Sequence, residues 1–152
     1  MRSEHPKNNK KNVVVRLPGE GIQGKTSAGK PLLVRATGEE TGGRIGVVEL
    51  DESPRDEASI HVHESDEAWY ILTGEYRLFA GNQWYAAPAG SFIFVPGGIP
   101  HGFAVLSGVQ ARKVAFSLPG GLEVAYLPDE QKTIFIEMPH TLGVEILPDS
   151  EK

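Results

Sequence analysis

Short runs of β-branched and aromatic residues, separated by turn signals, constrain this chain more than any other feature. Its 18 glycines and 11 prolines punctuate the sequence instead of clustering in one linker. Pro-Gly, Thr-Gly, Gly-Asn and Gly-Gly pairs separate successive runs rich in Val, Ile, Tyr, Phe and Trp, as expected of many short strands joined by tight turns. The pattern predicts an all-β fold, and its spacing is typical of a jelly roll or closed barrel.

Ten segments have the length and composition of strands. They are residues 13–17, 31–36, 44–50, 59–63, 68–73, 76–80, 83–87, 92–95, 103–106 and 110–117. A helical pattern extends over residues 129–141, where Pro139 interrupts it, so we expect mixed helix and coil there. We find no internal repeat, which favours one barrel over a tandem pair.

Length and charge narrow the function classes. A chain of 152 residues fits one domain, placed at residues 13–148 with a C-terminal extension from about residue 119; residues 1–12 are expected to be disordered. The formal charge of −5 argues against a nucleic-acid partner. No apolar run approaches the roughly 18 residues of a membrane span, so we expect a cytoplasmic protein without a membrane partner.

The histidines carry the strongest chemical signal. His61 and His63 are separated by one residue in an apolar segment, so the two-residue period of a strand places both imidazoles on one face. The next three residues can turn the chain so that Glu67 begins a strand that faces the same pocket. Further along, a Gly-Gly-Ile-Pro turn delivers His101 at the start of another strand. Three of the five histidines thus fall into one pattern, which predicts a shared metal site.

The predicted ligands of one divalent metal ion are His61, His63, Glu67 and His101. The chain has no cysteine, so any metal must use nitrogen and oxygen donors. Three neutral imidazoles and one carboxylate suit Fe, Mn, Ni, Cu or Zn, and in an octahedral ion two positions would stay open for water or a substrate oxygen. Other polar residues are interpreted as solvated turn residues and not as ligands: Glu39, Glu40, Glu64, Ser65 and Asp66.

The spacing of these residues resembles the two motifs of the cupin superfamily. The first motif, G(x)5HxH(x)3–4E(x)6G, is matched at His61, His63, Glu67 and Gly74. The second motif, G(x)5PxG(x)2H(x)3N, is matched at Gly90, Pro96, Gly98 and His101. Arg55 stands in place of the first motif's opening glycine and Val105 in place of the second motif's asparagine, neither of which is a ligand in the family. Residues 118–123 and 142–147 are similar to the tails of small bacterial single-domain cupins of the quercetin dioxygenase-like group.

This resemblance implies a single-domain cupin jelly-roll β-barrel and a metal-dependent dioxygenase or related oxidoreductase. In such an enzyme an oxygen-bearing substrate would bind the metal, and Glu67 would be both a metal ligand and the catalytic proton acceptor. The barrel admits one small ligand. Alternation places Trp69 and Ile71 on the face of Glu67, and Phe103 and Val105 on that of His101. The predicted substrate-binding residues, suited to a small aromatic compound, are Trp69, Ile71, Phe92, Phe94, Phe103 and Val105, with Ile93 and Val95 as the alternative to Phe92 and Phe94.

Two other functions stay open. A binding module could recognise a small molecule or hold a metal without turnover, although residues 1–40 show too little helical pattern for a DNA-binding domain of a regulator. A sugar isomerase or epimerase would need several polar or basic groups facing inward, and we expect few in the strands. The apolar residues 13–15 and 133–136 suit sheet edges that pair across a two-fold axis, so we expect a homodimer.

Overall fold

Two antiparallel sheets build the molecule. The computed structural model describes residues 12–26, 29–54, 56–106, 108, 110–128 and 145–146. The strands are β1 (Ile22–Lys25), β2 (Pro31–Ala36), β3 (Gly46–Glu52), β4 (Glu57–Val62), β5 (Asp66–Thr73), β6 (Glu75–Ala80), β7 (Gln83–Pro88), β8 (Phe92–Val95), β9 (His101–Val105), β10 (Ala111–Leu118) and β11 (Glu145–Ile146), with a 3₁₀ helix at Leu122–Tyr126. One sheet has the order β1-β2-β3-β10-β5-β8 and the other β11-β4-β9-β6-β7. The predicted jelly roll is confirmed.

Nine of the ten predicted strand segments are strands within a few residues of the expected bounds. The exception is residues 13–17, which form no strand and expose Val13, Val15 and Leu17 at 88%, 65% and 59%. The predicted homodimer depended on two apolar sheet edges. Residues 13–15 do not form the first edge, and residues 133–136, the second, lie outside the described residues. The homodimer therefore stays a prediction. The predicted disorder of residues 1–12 and the mixed helix of 129–141 fall outside them too, apart from Asn12. In the described part of the chain no helix is long and apolar enough to span a membrane.

The strands that carry the site face each other across the barrel interior. In the six-stranded sheet β5 pairs with β10, which sets Glu67 opposite Ser117 and Trp69 opposite Ala115. In the five-stranded sheet β4 pairs with β9 and places His61 beside His101, next to an irregularity in the ladder. Such bulges bend a strand and re-aim its side chains, so the local geometry favours convergence at this point.

Two apolar clusters hold the sheets together. One fills the interior beneath the site and consists of Trp69, Ile71, Tyr76, Leu78, Ala87, Val95, Val105 and Ala111. The other joins the helix region to β2 and β3 and consists of Leu32, Val34, Val48, Leu50, Val124 and Leu127. Val124 lies in the 3₁₀ helix and Leu127 directly follows it, whereas the other members of both clusters lie on strands. Those strand residues come from alternating positions, because side chains of period two bury one face of each strand.

The 3₁₀ helix is held in place by a buried carboxylate. Glu123, 1% exposed, accepts hydrogen bonds from the backbone N–H groups of Gly38 and Gly121, each at 2.6 Å. These charge-assisted bonds fasten the helix to the connection between β2 and β3. The helix thereby contributes Leu122 and Tyr126 to the wall of a cavity that also touches His61 and Glu67.

Candidate metal centre

The structure brings the four predicted ligands together. His61 lies near the end of β4, His63 directly follows that strand, Glu67 is the second residue of β5, and His101 is the first of β9. One donor atom from each side chain lies within 4.8 Å of the others. The Oε2 atom of Glu67 lies 2.9 Å from Nε2 of His63 and 3.0 Å from Nε2 of His101. Three nitrogen donors and one carboxylate thus converge on a common point.

Backbone carbonyls orient all three imidazoles. The Nδ1–H groups donate to the carbonyl oxygens of Ser59, Ser65 and Ile99, at 2.6 Å for His61, 2.9 Å for His63 and 2.8 Å for His101. A carbonyl oxygen only accepts, so each Nδ1 carries the hydrogen and each Nε2 keeps its lone pair when the ring is neutral. This second hydrogen bond is the one that fixes metal-binding histidines in proteins.

The donor set fits a divalent cation. The Nε2 atoms of His63 and His101, residues that are 5% and 1% exposed, lie 2.9 and 3.0 Å from the same oxygen of Glu67. With each Nδ1–H committed to a carbonyl, these close contacts need a positive charge between the donors, because carboxylate oxygens and imidazole lone pairs only accept. A divalent cation held by all four side chains would supply that charge. The residues present therefore suit Fe, Mn, Ni, Cu or Zn, as expected for nitrogen and oxygen ligands.

The pKa values of Glu67, His61 and His63 depend on neighbouring residues of the site, and the shifts at Glu67 and His61 favour a bound cation. Burial would raise the pKa of Glu67, but the hydrogen bonds from His101 and His63 outweigh it and lower that pKa to about 2. Burial lowers the pKa of His61 below its ordinary value. Burial would lower the pKa of His63, but the hydrogen bond and negative charge of Glu67, with the backbone carbonyl of Ser65, together outweigh it and raise that pKa. At neutral pH the carboxylate is therefore ionised and His61 is neutral, which are the forms that bind metal.

Two turns hold the ligands in register. The backbone N–H of Gly98 donates to the carbonyl of His63 at 2.8 Å, and that of Gly97 donates to Oδ1 of Asp66 at 2.8 Å. A Cβ at Gly97 would overlap the carbonyl oxygen of Glu64, so only glycine permits this approach. Asp66, interpreted from the sequence as a turn residue, therefore links the turn before β5 to the turn that delivers His101.

A cavity of about 420 Å³ opens beside the four side chains. His61 and Glu67 lie in its wall together with Trp69, Phe103 and Lys113. This volume suits a small organic molecule. Two of the six predicted substrate-binding residues, Trp69 and Phe103, thus line the cavity.

The other four predicted substrate-binding residues do not line this cavity. Ile71 and Val105, 2% and 4% exposed, belong to the apolar cluster beneath it. Phe92 and Phe94 point outward, 66% and 52% exposed, so the structure places them away from this cavity. The β8 register explains this, because Phe92 pairs with Tyr70 and Phe94 with Ala68, the β5 positions that alternate with Trp69.

The alternative pair on β8 faces inward instead. Val95 is 2% exposed and Ile93 packs against the buried cluster. Both support the core beneath the cavity. The sequence left the choice between the two pairs open, since four apolar residues in a row give no alternation to read.

The sequence analysis missed three polar residues of the interior. The Nζ atom of Lys113 lies 3.2 Å from Oε1 of Glu52, and the hydroxyl of Tyr76 donates to the same oxygen at 2.9 Å. These three residues add polar groups to an interior in which the sequence analysis expected few. A signal was present: Lys113 alternates with Ala111 and Ala115, which places a lysine on the inward face of its strand.

The comparison with known proteins agrees with this architecture. Residues 48–116 match the sequence profile of the cupin domain, and this range includes all four converging side chains. The chain has a cupin fold. A comparison of the sequence with curated proteins finds no match.

Solved structures show the same cupin fold at low sequence identity. A cupin described as RmlC-like, from Shewanella frigidimarina, superposes with a TM-score of 0.61 at 15% identity, over 72% of this chain and 93% of its own. A predicted oxalate decarboxylase from Thermotoga maritima gives a TM-score of 0.61 at 17% identity, over 69% and 98%. The polyketide cyclase RemF from Streptomyces resistomycificus gives 0.56 at 21%, over 99% and 89%. Structural similarity at identities this low establishes only the fold. The reaction must be inferred from the residues of the site itself.

Proposed function

We propose that this cupin is a metal-dependent enzyme that oxidises a small aromatic, oxygen-bearing substrate with O2, as quercetinase-like dioxygenases do. The observation that carries the proposal is the convergence of three imidazoles and one carboxylate, of which His61 and Glu67 line a cavity of about 420 Å³. A site with protein ligands on one side and an open cavity on the other is typical of catalytic metals, whereas structural sites are closed.

The aromatic walls determine which substrates fit. Trp69 and Phe103 stand edge to face with ring centroids 6.5 Å apart, and both line the cavity. Such walls favour a flat apolar ring and limit the access of water. A divalent metal bound there would supply Lewis-acid and redox chemistry to a substrate oxygen.

Glu67 is the proposed catalytic proton acceptor. Its carboxylate lines the cavity and, with a pKa of about 2, is ionised at neutral pH. Its Oε1 atom accepts the indole N–H of Trp69 at 3.0 Å, while Oε2 faces the imidazoles of His63 and His101. This position allows the carboxylate to take the proton of a substrate hydroxyl that enters the cavity.

Metal analysis and oxygen uptake test this function. Protein purified without chelators is expected to contain one divalent metal per chain, and its oxygen consumption is measured with flavonols, diketones and catechols. The variant Glu67→Gln should lose turnover more completely than it loses metal, because the amide keeps an oxygen donor but is a far weaker base. Glu64→Gln, in the adjoining turn, is the matched control and should keep both properties.

Two outcomes would contradict the proposal. One is full turnover in metal-loaded Glu67→Gln protein, which would remove Glu67 as the proton acceptor. The other is the absence of oxygen uptake across the whole panel by metal-loaded protein. Ligand binding without any reaction would then favour the non-catalytic binding module.

A sugar isomerase or epimerase is the second candidate. The specific observation in its favour is that Lys113 and Glu52 supply polar groups in the cavity wall, which such an enzyme needs to bind hydroxyls. Isomerisation or epimerisation by proton transfer would incorporate solvent deuterium into the sugar without consuming O2. Proton NMR of sugar incubated in D2O with the metal-loaded protein distinguishes this candidate from an oxygenase.

A further inference from the structure

An ammonium group lies in the wall of the cavity, on a strand that contributes no predicted metal ligand. Lys113 belongs to β10, where it pairs with Ile71 of β5, and its side chain is only 4% exposed. Its Nζ atom lies 3.0 Å from the ring centroid of Phe103, 4.8 Å from that of Tyr76 and 5.4 Å from that of Trp69. Lys113 lines the same cavity as His61 and Glu67.

The hydrogen-bonding capacity of this ammonium group is only partly used. An ammonium group has three N–H donors. Among the residues that the structure describes, its polar partner is Glu52, whose Oε1 lies 3.2 Å from Nζ and also accepts the Tyr76 hydroxyl. The remaining donors face aromatic rings, which attract a cation but do not replace an oxygen acceptor.

Packing alone does not account for a charged pair at this place. Replacing a buried ion pair by apolar residues of similar size is often neutral or stabilising, so such a pair is weak support for a purely structural role. Burial lowers the pKa of Lys113, while Glu52 opposes the shift, so the enclosure of the group works against its charge. A ligand with an acceptor oxygen would meet the remaining donors and offset this cost.

We infer that Lys113 is a second anchor for the substrate, donating a hydrogen bond to a carboxylate or carbonyl oxygen of a planar molecule whose other oxygen groups face His61 and Glu67. The inference rests on the proposed metal site and narrows its substrate class to aromatic compounds that carry a further acceptor group besides the metal-binding oxygens. Trp69 and Phe103 would hold the ring between the two polar ends. Lys113 then determines specificity, since a site built around a hydrogen bond rejects analogues that lack the partner.

Matched probe ligands test this anchor. Catechol offers only metal-binding oxygens, whereas 2,3-dihydroxybenzoate and 3,4-dihydroxybenzoate add a carboxylate at two different positions. Calorimetric titration of metal-loaded protein should show that one of the two benzoates binds at least about tenfold tighter than catechol, as expected for one charge-assisted hydrogen bond.

The decisive variant is Lys113→Met combined with Glu52→Gln. The single change Lys113→Met would leave Glu52 buried without its cation, whereas the double variant removes both charges and retains an acceptor for Tyr76. In the double variant the preference for the benzoate should fall to less than about twofold, while catechol affinity and metal content stay the same. Lys30→Met, which removes another cation from the cavity wall, is the control and should retain the preference.

Each outcome has a distinct meaning. A preference that survives in the double variant, or a wild-type protein that does not favour either benzoate, overturns the anchor and leaves the metal site standing. A change in melting temperature with an unchanged preference also overturns it, since that is the result of a purely structural pair. Failure of wild-type protein to bind metal, or of metal-loaded protein to bind catechol and both benzoates, overturns the proposed function and the anchor with it.

Discussion

Trp69 holds the carboxylate of Glu67 from the side opposite the imidazoles. Its indole N–H donates to Oε1 at 3.0 Å, and the side chain is 4% exposed. Alternation along β5 places Trp69 on the same face as Glu67, so proximity could be expected from the sequence, but the hydrogen bond could not. A residue that the sequence marked only as a pocket wall is therefore also a positioning residue for the predicted ligand.

The variant Trp69→Phe tests that role. Phenylalanine keeps an aromatic ring but has no N–H donor, so Oε1 loses its partner and the carboxylate becomes free to rotate. Metal affinity should fall by about 10–100-fold, the usual effect of removing such a supporting contact. Competition with a chelating dye measures the affinity. The control is Trp84→Phe, because Trp84 packs edge to face against Phe79 and under the guanidinium of Arg77, away from the site. Equal loss in both variants would contradict the role.

At the scale of elements, two turns position ligands that lie far apart in sequence. The connection between β4 and β5 carries His63 and Glu64, and the connection between β8 and β9 carries Gly97 and Gly98. Their backbones hydrogen-bond to each other, so the entry to β5 and the entry to β9 are fixed together. The spacing in the sequence predicts each turn separately, whereas their contact depends on the sheets to which the strands belong.

The variant Gly97→Ala should separate the turns. A methyl group at this position overlaps the carbonyl oxygen of Glu64, so the two connections must move apart. We expect a loss of about 1–3 kcal/mol in the free energy of unfolding, the usual cost of overpacking, together with weaker metal binding. Urea denaturation of the metal-free protein and dye competition measure the two effects.

Gly90→Ala is the matched control for that variant. Gly90 has a φ of 89° with open space around its α-carbon, so alanine there is strained by the backbone alone. The control should lose stability by about 1–2 kcal/mol and keep its metal affinity. If Gly97→Ala also keeps its metal affinity, the contact between the turns does not position the ligands.

At the scale of the whole molecule, a metal would join the two sheets. His61 and His101 belong to the five-stranded sheet and Glu67 to the six-stranded one. A ligand that binds only the folded state adds stability in proportion to the logarithm of its free concentration over Kd, about 4 kcal/mol at 1,000 times Kd. Removing the metal with a chelator should therefore lower the melting temperature, and adding it back should restore the loss.

This metal-induced stabilisation should decrease with acidity. The hydrogen bond to Glu67 raises the pKa of His63 above 6.5, so in the metal-free fold a proton occupies this imidazole as the pH falls through that range. Metal binding must displace that proton, so affinity already weakens as the pH falls through the raised pKa, above 6.5, and the difference in melting temperature shrinks.

In the metal-free protein, the contribution of His63 to folding stability changes with pH in the opposite direction. Its raised pKa contributes stability that is fully present below pH 6.5 and is lost as the pH rises through the folded value. Melting curves of metal-loaded and chelated protein between pH 8 and pH 5 measure both trends. Unchanged metal content and an unchanged difference in melting temperature at about pH 5 would rule out binding through three histidines.

The sequence by itself determined nine of the eleven strands in the described residues, all except β1 and β11, and the spacing of the four converging side chains. Period-two alternation is a local property, so His61 and His63 share a face whatever surrounds them, and turn-forming residues mark where each strand ends. These local rules give nine strands and a set of donors on inward positions.

Only the tertiary structure decided which strand faces pack against each other and which polar residues lie between the two sheets. The apolar run at residues 92–95 has no alternation, so the pairing of β8 with β5 was needed to turn Phe92 and Phe94 outward. Residues 13–17 have the composition of a strand but form none, because a strand requires a neighbouring edge to bond with. The contact of Lys113 with Glu52 joins residues from two strands of the sheet, and long-range register, which no local pattern encodes, created it.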